Sequence, residues 1–182
     1  SFHLFKAEIP GGVTVERMQP RLAETAKILW KTYVVLTFLE IAILRIGGMN
    51  LFDAICHTFS TVATGGFSPH NGSVGYFNNL FFEYVIIFFM FLGGVNFILH
   101  FQLVTRNIKG VFQNPELRFY CTMIVVGILI ATWGLHQASP DQGVGQSFRN
   151  AAFTVVSINT TTGFVTDDFN QWPVFLKIMI VG

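Results

Sequence analysis

Thr61-Val62-Ala63-Thr64-Gly65-Gly66-Phe67 and Ile158-Asn159-Thr160-Thr161-Thr162-Gly163-Phe164 are two versions of one stretch, and the fold follows from how they are read. Gly66 and Gly163 stand 97 residues apart, and at that offset Ala54/Ala151, Ser60/Ser157, Thr64/Thr161 and Phe67/Phe164 also coincide. Beyond the run, Phe77-Asn78-Asn79 resembles Phe169-Asn170-Gln171 once the first loop is shortened. Each copy ends a modest apolar segment, Leu51 to Val62 or Gln146 to Ile158, and each lies between longer apolar runs. Segments of about three helical turns cannot cross a ~30 Å hydrocarbon core. They must dip in and stop, with their irregular ends buried in protein or facing a water-filled path.

Composition supports a membrane setting. Apolar residues make up 52% of the chain and charged residues only 12%, and 21 of the 182 residues are Phe. A soluble domain carries about 25% charge. The formal net charge of +1 gives no electrostatic reason to expect nucleic acid. Cys56 and Cys121 sit in apolar segments and read as small buried hydrophobes. The opening residues lack the pattern of a cleavable signal. The chain opens on Ser and stops inside the apolar run from Trp172 to Gly182, so a fragment of a longer protein is expected.

The expected organisation is an all-α polytopic membrane protein built from repeated helix, pore half-helix, filter and helix units of potassium-channel type. Residues 1–27 form a cytoplasmic or interfacial approach segment, with an amphipathic helix over about 14 to 27 that Pro20 would interrupt. Residues 28–104 make the first pore unit, with spans over 28–47 and 80–104; Gly93-Gly94 marks a bend in the second. Residues 105–117 are a polar connector, and 118–182 make the second unit, incomplete in its inner helix. Lys6, Arg17, Arg21, Lys27 and Lys31 precede or open the first span, and Arg106, Lys109 and Arg118 lie between spans two and three. The loop from Phe67 to Glu83 has no Lys or Arg. The positive-inside tendency therefore places the N-terminus and the connector in the cytoplasm and both Thr/Gly runs towards the outside, with Arg45 and Arg149 opposing.

The chemistry follows from the backbone. A cation leaving water needs replacement oxygens, and extended Thr/Gly backbone supplies carbonyls that small side chains let approach an axis. The preceding half-helix presents its partly negative C-terminal end, which favours cations. The residues expected to coordinate K⁺ through backbone carbonyls are Val62, Ala63, Thr64, Gly65 and Gly66 in the first run, and Asn159, Thr160, Thr161, Thr162 and Gly163 in the second. Thr64 and Thr161 can add hydroxyls, and Phe67 and Phe164 would brace the runs.

Thr64-Gly65-Gly66-Phe67 and Thr161-Thr162-Gly163-Phe164, each after a half-helix, resemble the potassium-transport superfamily of TrkH and KtrB. Glu8-Ile9-Pro10-Gly11, Ala26 to Tyr33, Phe52 to His57 and Gly65-Gly66-Phe67-Ser68 bring the likeness nearer to TrkH. The resemblance implies four pore units around one K⁺ pathway, of which this chain holds the second and most of the third. It also implies potassium uptake or symport in a bacterial inner membrane, a homodimer, and a cytosolic TrkA-like nucleotide-binding regulator. No cofactor is implied besides K⁺ as the transported ion. A Na⁺-coupled KtrB-like K⁺ transporter is the nearest alternative.

Blander readings stand beside these. Glu40, inside the first span, is a functional carboxylate or is paired with Arg45 or a polar neighbour. His57 packs or hydrogen-bonds rather than binding metal, and Arg149 pairs with an acid or a carbonyl or reaches the interface. Asp167-Asp168 gathers cations at the mouth or caps a helix before Trp172-Pro173. The rival classes are a structural membrane subunit and an intramembrane hydrolase using Ser60 or Ser157 with a histidine. The hydrolase lacks a Gly-x-Ser-x-Gly motif, and Thr154 replaces His57 in the second copy.

Overall fold

A computed structural model describes residues 15–104, 108–139, 143–167 and 172–181. Every regular element among them is helical: α1 (Val15–Ile46), α2 (Leu51–Val62), a 3₁₀ turn (Ser73–Phe77), α3 (Leu80–Gly94), α4 (Phe97–Val104), α5 (Ile108–Gln113), α6 (Pro115–Ala138), α7 (Val144–Asn159) and α8 (Val174–Val181). The all-α architecture of repeated helix, half-helix, loop and helix is therefore as expected. The approach residues 1–14 and the residues Arg106 and Asp168 lie outside the described part.

Local chemistry sets the boundaries. Gly48 takes φ +99° between α1 and α2, a conformation that favours glycine. Arg45 Nη1 donates to the Met49 carbonyl at 3.0 Å across this break. Asn50 Oδ1 then accepts the Phe52 N–H at 2.8 Å and caps α2. Asn79 caps α3 through Phe81 N–H, and Asn114 caps α6 through Leu117 N–H with Pro115 in the first turn. At 24 residues, α6 is about 36 Å long. Among the described residues it is the one helix long and apolar enough to cross a membrane by length and composition. Trp30, Phe38, Phe119 and Trp133 are exposed along α1 and α6, which suits a lipid-facing surface.

Several expected boundaries move. The surface helix and first span are one helix, which continues through Pro20 instead of being interrupted there. The second span is broken rather than bent. α3 ends at Gly94, Val95 is extended at φ −81° and ψ 140°, and α4 restarts at Phe97. The polar connector contains α5, and the third span starts earlier than expected, at Pro115. The second half-helix extends one residue past Ile158, to Asn159. Arg45 is committed to the Met49 carbonyl, so the proposed Glu40–Arg45 pair does not form. Both Glu40 oxygens are buried without a hydrogen bond of ordinary geometry, facing the Thr61 hydroxyl on α2. Cys56 and Cys121 are free and half-buried.

The two repeats form one body. α1 packs on α2 and α6 on α7, while α3 packs on both half-helices. Leu44, Met49, Ala54, Ile86 and Met90 of the first repeat share a core with Ile124, Phe153, Val156 and Phe164 of the second. Glu83 on α3 faces Arg149 on α7 at 3.3 Å, with 6% and 23% of their side chains exposed. The contact is an ion pair without the alignment of a hydrogen bond. Arg149 thus finds its acid in the other repeat. Replacing Glu83 with Ala strands the guanidinium in a largely dry site, at an expected cost of about 1–3 kcal/mol. Denaturation in detergent should show Glu83→Ala/Arg149→Ala less destabilised than the sum of the single variants.

Candidate functional site

The two Thr/Gly runs have the same backbone, residue for residue. Ala63 and Thr160 close their helices at φ −82°, ψ 0° and φ −87°, ψ 0°. Thr64 and Thr161 then enter the left-handed region at φ +50° and +60°, followed by Gly66 and Gly163 at φ +66° and +83°. A non-glycine residue there is strained and persists only where its surroundings enforce it. Here the enforcement is visible. The N–H of Thr64 turns back onto Thr61 O at 3.0 Å and that of Gly65 onto Ser60 O at 2.7 Å. The second run repeats this, with Thr161 N–H on Ile158 O at 2.9 Å and Thr162 N–H on Ser157 O at 2.9 Å.

Turning the donors inwards leaves the acceptors unclaimed. Among the described residues, no carbonyl from Val62 to Gly66 or from Asn159 to Gly163 accepts a hydrogen bond. Such groups are costly inside a membrane protein unless water or a cation takes them. The partly negative ends of α2 and α7 meet the same two runs. Thr64 and Thr161, expected to add hydroxyls, make no side-chain hydrogen bond among the described residues. Thr160 Oγ1 instead donates to Val156 O at 2.8 Å and lies 2.8 Å from Thr162 Oγ1.

The runs also meet each other. A Cβ on Gly66 would fall 1.9 Å from the Thr162 carbonyl oxygen, so only glycine fits. A Cβ on Gly163, the matching residue, would meet nothing within 4 Å. The phenylalanines are equally unequal. Phe164 is buried, with its ring centroid 5.7 Å from that of His57 on α2, whereas Phe67 is 81% exposed. Phe164 therefore braces as expected and Phe67 does not, because its repeat has no neighbour on that side among the described residues. Beneath the runs, Gly93 approaches Thr61 O, and Gly94 lies against Tyr120 and Thr160. Beside the helix break there, a cavity of about 250 Å³ is lined by Asn96, Glu116, Tyr120 and Asn159.

Residues missed as supports complete the site. Ser60 Oγ accepts the Phe67 N–H, and Ser157 Oγ donates to Phe164 O at 2.8 Å. These hydroxyls tie each run's exit back to its half-helix. Both nitrogens of His57 are engaged, Nδ1 donating to Asp53 O at 2.8 Å and Nε2 lying 3.0 Å from Ser68 Oγ. Asp167 accepts from Asn150 Nδ2 at 2.7 Å, and Asp168 lies outside the described residues. The Ser60/Ser157 match is visible at the 97-residue offset, but a repeated hydroxyl does not by itself distinguish a nucleophile from a support.

Comparison with known proteins agrees with this geometry. The family described as TrkH, cation transport protein, matches residues 4–182. The chain belongs to the TrkH family. It is 40% identical to the Trk system potassium uptake protein TrkH of Salmonella typhimurium over 98% of its own length. It is 38% identical to the Trk system potassium uptake protein TrkG of Escherichia coli, again over 98% of its length. The crystal structure of the potassium transporter TrkH from Vibrio parahaemolyticus superposes with a TM-score of 0.80 at 36% identity, covering 94% of this chain and 36% of that one. The chain spans 37% of the length of those two curated relatives. The family is one of cation transport proteins, and the all-helical fold of this chain matches that of the transporter structure.

The serine ties carry a direct expectation. Ser157→Ala leaves the Phe164 carbonyl without its donor, and Ser60→Ala leaves the Phe67 N–H without its acceptor. Each should cost about 1–2 kcal/mol in detergent denaturation of the full-length protein.

Proposed function

We propose that this chain supplies two of four pore units in a potassium-uptake subunit of a bacterial inner membrane, and that ions pass along the carbonyls of Val62 to Gly66 and Asn159 to Gly163. The observation that carries the reading is the double row of unclaimed carbonyls, beside the N–H groups of Thr64, Gly65, Thr161, Thr162 and Gly163 that turn back onto the half-helices. The names of the relatives, potassium uptake proteins in every case cited, fit that chemistry.

Two open faces support a ring of more than two units. Gly66 contacts the following repeat, and its counterpart Gly163 has an empty place where a following unit would come. Phe164 seats on the preceding repeat, and its counterpart Phe67 is exposed where a preceding unit would lie. The boundaries 28–104 and 118–182 then mark the units, with the N-terminal segment and the 105–117 connector on the cytoplasmic side by charge bias. A homodimer and a TrkA-like cytosolic regulator belong to this proposal by resemblance to the family. A hydrolase is disfavoured because both serine hydroxyls bond the backbone of the runs.

Cation flux in liposomes containing the full-length protein tests the filter. Gly66→Ser drives a side chain into the Thr162 carbonyl and should reduce K⁺ over Na⁺ preference by about tenfold or more, equivalent to ~1.4 kcal/mol. Gly163→Ser should do the same if a further unit packs on it. Unchanged preference in both variants overturns the reading.

A further inference from the structure

Two hydrogen bonds at the far ends of the runs follow the 97-residue repeat while their residue types do not. On α2, Asp53 Oδ1 accepts from His70 Nε2 at 3.0 Å. On α7, Asn150 Nδ2 donates to Asp167 Oδ2 at 2.7 Å. Each bond joins a half-helix residue to a loop residue 17 positions later, and the two pairs superpose on the repeat offset. The donor lies on the loop in the first copy and on the half-helix in the second. A shared residue identity therefore cannot explain the match. What the two repeats have in common is the bond.

Helix capping does not account for it either. Asp53 lies in the first turn of α2, and its Oδ2 accepts from the capping residue Asn50 at 3.0 Å. Asn150, however, is the seventh residue of α7, well past the first turn. The bond is kept where the capping role is not. In both repeats it closes a loop that begins at the half-helix, passes through the unclaimed carbonyls and the serine tie, and returns. The first clamp is embedded in a wider set of contacts. Tyr76 stacks on the His70 ring at 3.9 Å, Phe77 meets it edge-on, and Ser68 Oγ links His70 N–H to His57 Nε2. His57 in turn stacks on Phe164 of the other run.

We propose that Asp53–His70 and Asn150–Asp167 are equivalent clamps that position the two Thr/Gly runs for ion selection, and that their chemistry is interchangeable. The inference rests on the filter reading above. A carbonyl ring discriminates ions through the number and placement of its oxygens, so a run released at one end loses preference before it loses conduction. These are positioning residues, since neither pair touches the carbonyls directly.

The test uses the full-length protein in liposomes, reading the K⁺ to Na⁺ flux ratio beside thermal stability in detergent. Asn150→Asp opposes two carboxylates and should lower the ratio roughly fivefold, the equivalent of losing one hydrogen bond of about 1 kcal/mol. Adding Asp167→Asn supplies an amide partner again and should restore the ratio to within about twofold, given the same bond energy. The decisive variant moves the second clamp into the first repeat: Asp53→Asn with His70→Asp should keep the wild-type ratio, whereas Asp53→Ala should not. A wild-type ratio in Asn150→Asp overturns the inference, as does failure of Asp167→Asn to restore it. If Asn150→Asp does not fold, the transplanted pair decides, and a transplant that folds without selectivity, or does not fold, counts against interchangeability. Gly66→Ser separates the two ideas. If it alters the ratio while the clamp variants do not, the clamps fail and the filter stands. If it too changes nothing, the filter reading fails first.

Discussion

A backbone that turns back inside a membrane must give its polar groups to something, and here the donors and acceptors part ways. The N–H groups of Thr64, Gly65, Thr161 and Thr162 fold onto the ends of their own half-helices. The carbonyls that follow are left without a protein donor. Everything around the runs serves this separation. The left-handed threonines set the direction of the turn, the serines tie the exit, and α3 closes beneath through Gly93 and Gly94. Ala63, Gly65, Asn159, Thr161 and Gly163 are exposed, so the runs present these residues to whatever lies along that face rather than to the protein interior.

The fold was legible where the sequence forces a single outcome. Asn50 caps the half-helix from Leu51 to Val62, which is bounded by Gly48 on one side and Thr/Gly on the other. The repeat was legible because Gly66 and Gly163 need the same positive φ. Boundaries failed where a signal points two ways. A proline commonly ends a helix, yet α1 runs on through Pro20. Gly93-Gly94 announces a bend, and the helix instead ends at Gly94, where Tyr120 and Thr160 of the other repeat lie close.

The site was half legible for a related reason. Matching identical residues finds the runs themselves, because their backbone tolerates few side chains. It does not find Asp53 with His70 or Asn150 with Asp167, where the repeat keeps a bond and exchanges donor for acceptor. It likewise could not pair Arg149 with Glu83, since that contact joins different repeats and leaves no periodic trace. Glu40 shows the converse. Its basic neighbour in sequence, Arg45, turned to a carbonyl instead, and the carboxyl is buried beside Thr61.

The inequality between Gly66 and Gly163, and between Phe67 and Phe164, has a symmetry consequence. The contact between the repeats is heterologous: the face that receives and the face that inserts are different surfaces. Contacts of that kind propagate in one rotational sense until a ring closes, and a single pair never satisfies both ends. On the four-unit reading proposed above, the two repeats would make a half-circle of such a ring. A tandem duplication of such a half-circle would complete the ring without inventing a new interface, which makes this architecture easy to build by copying.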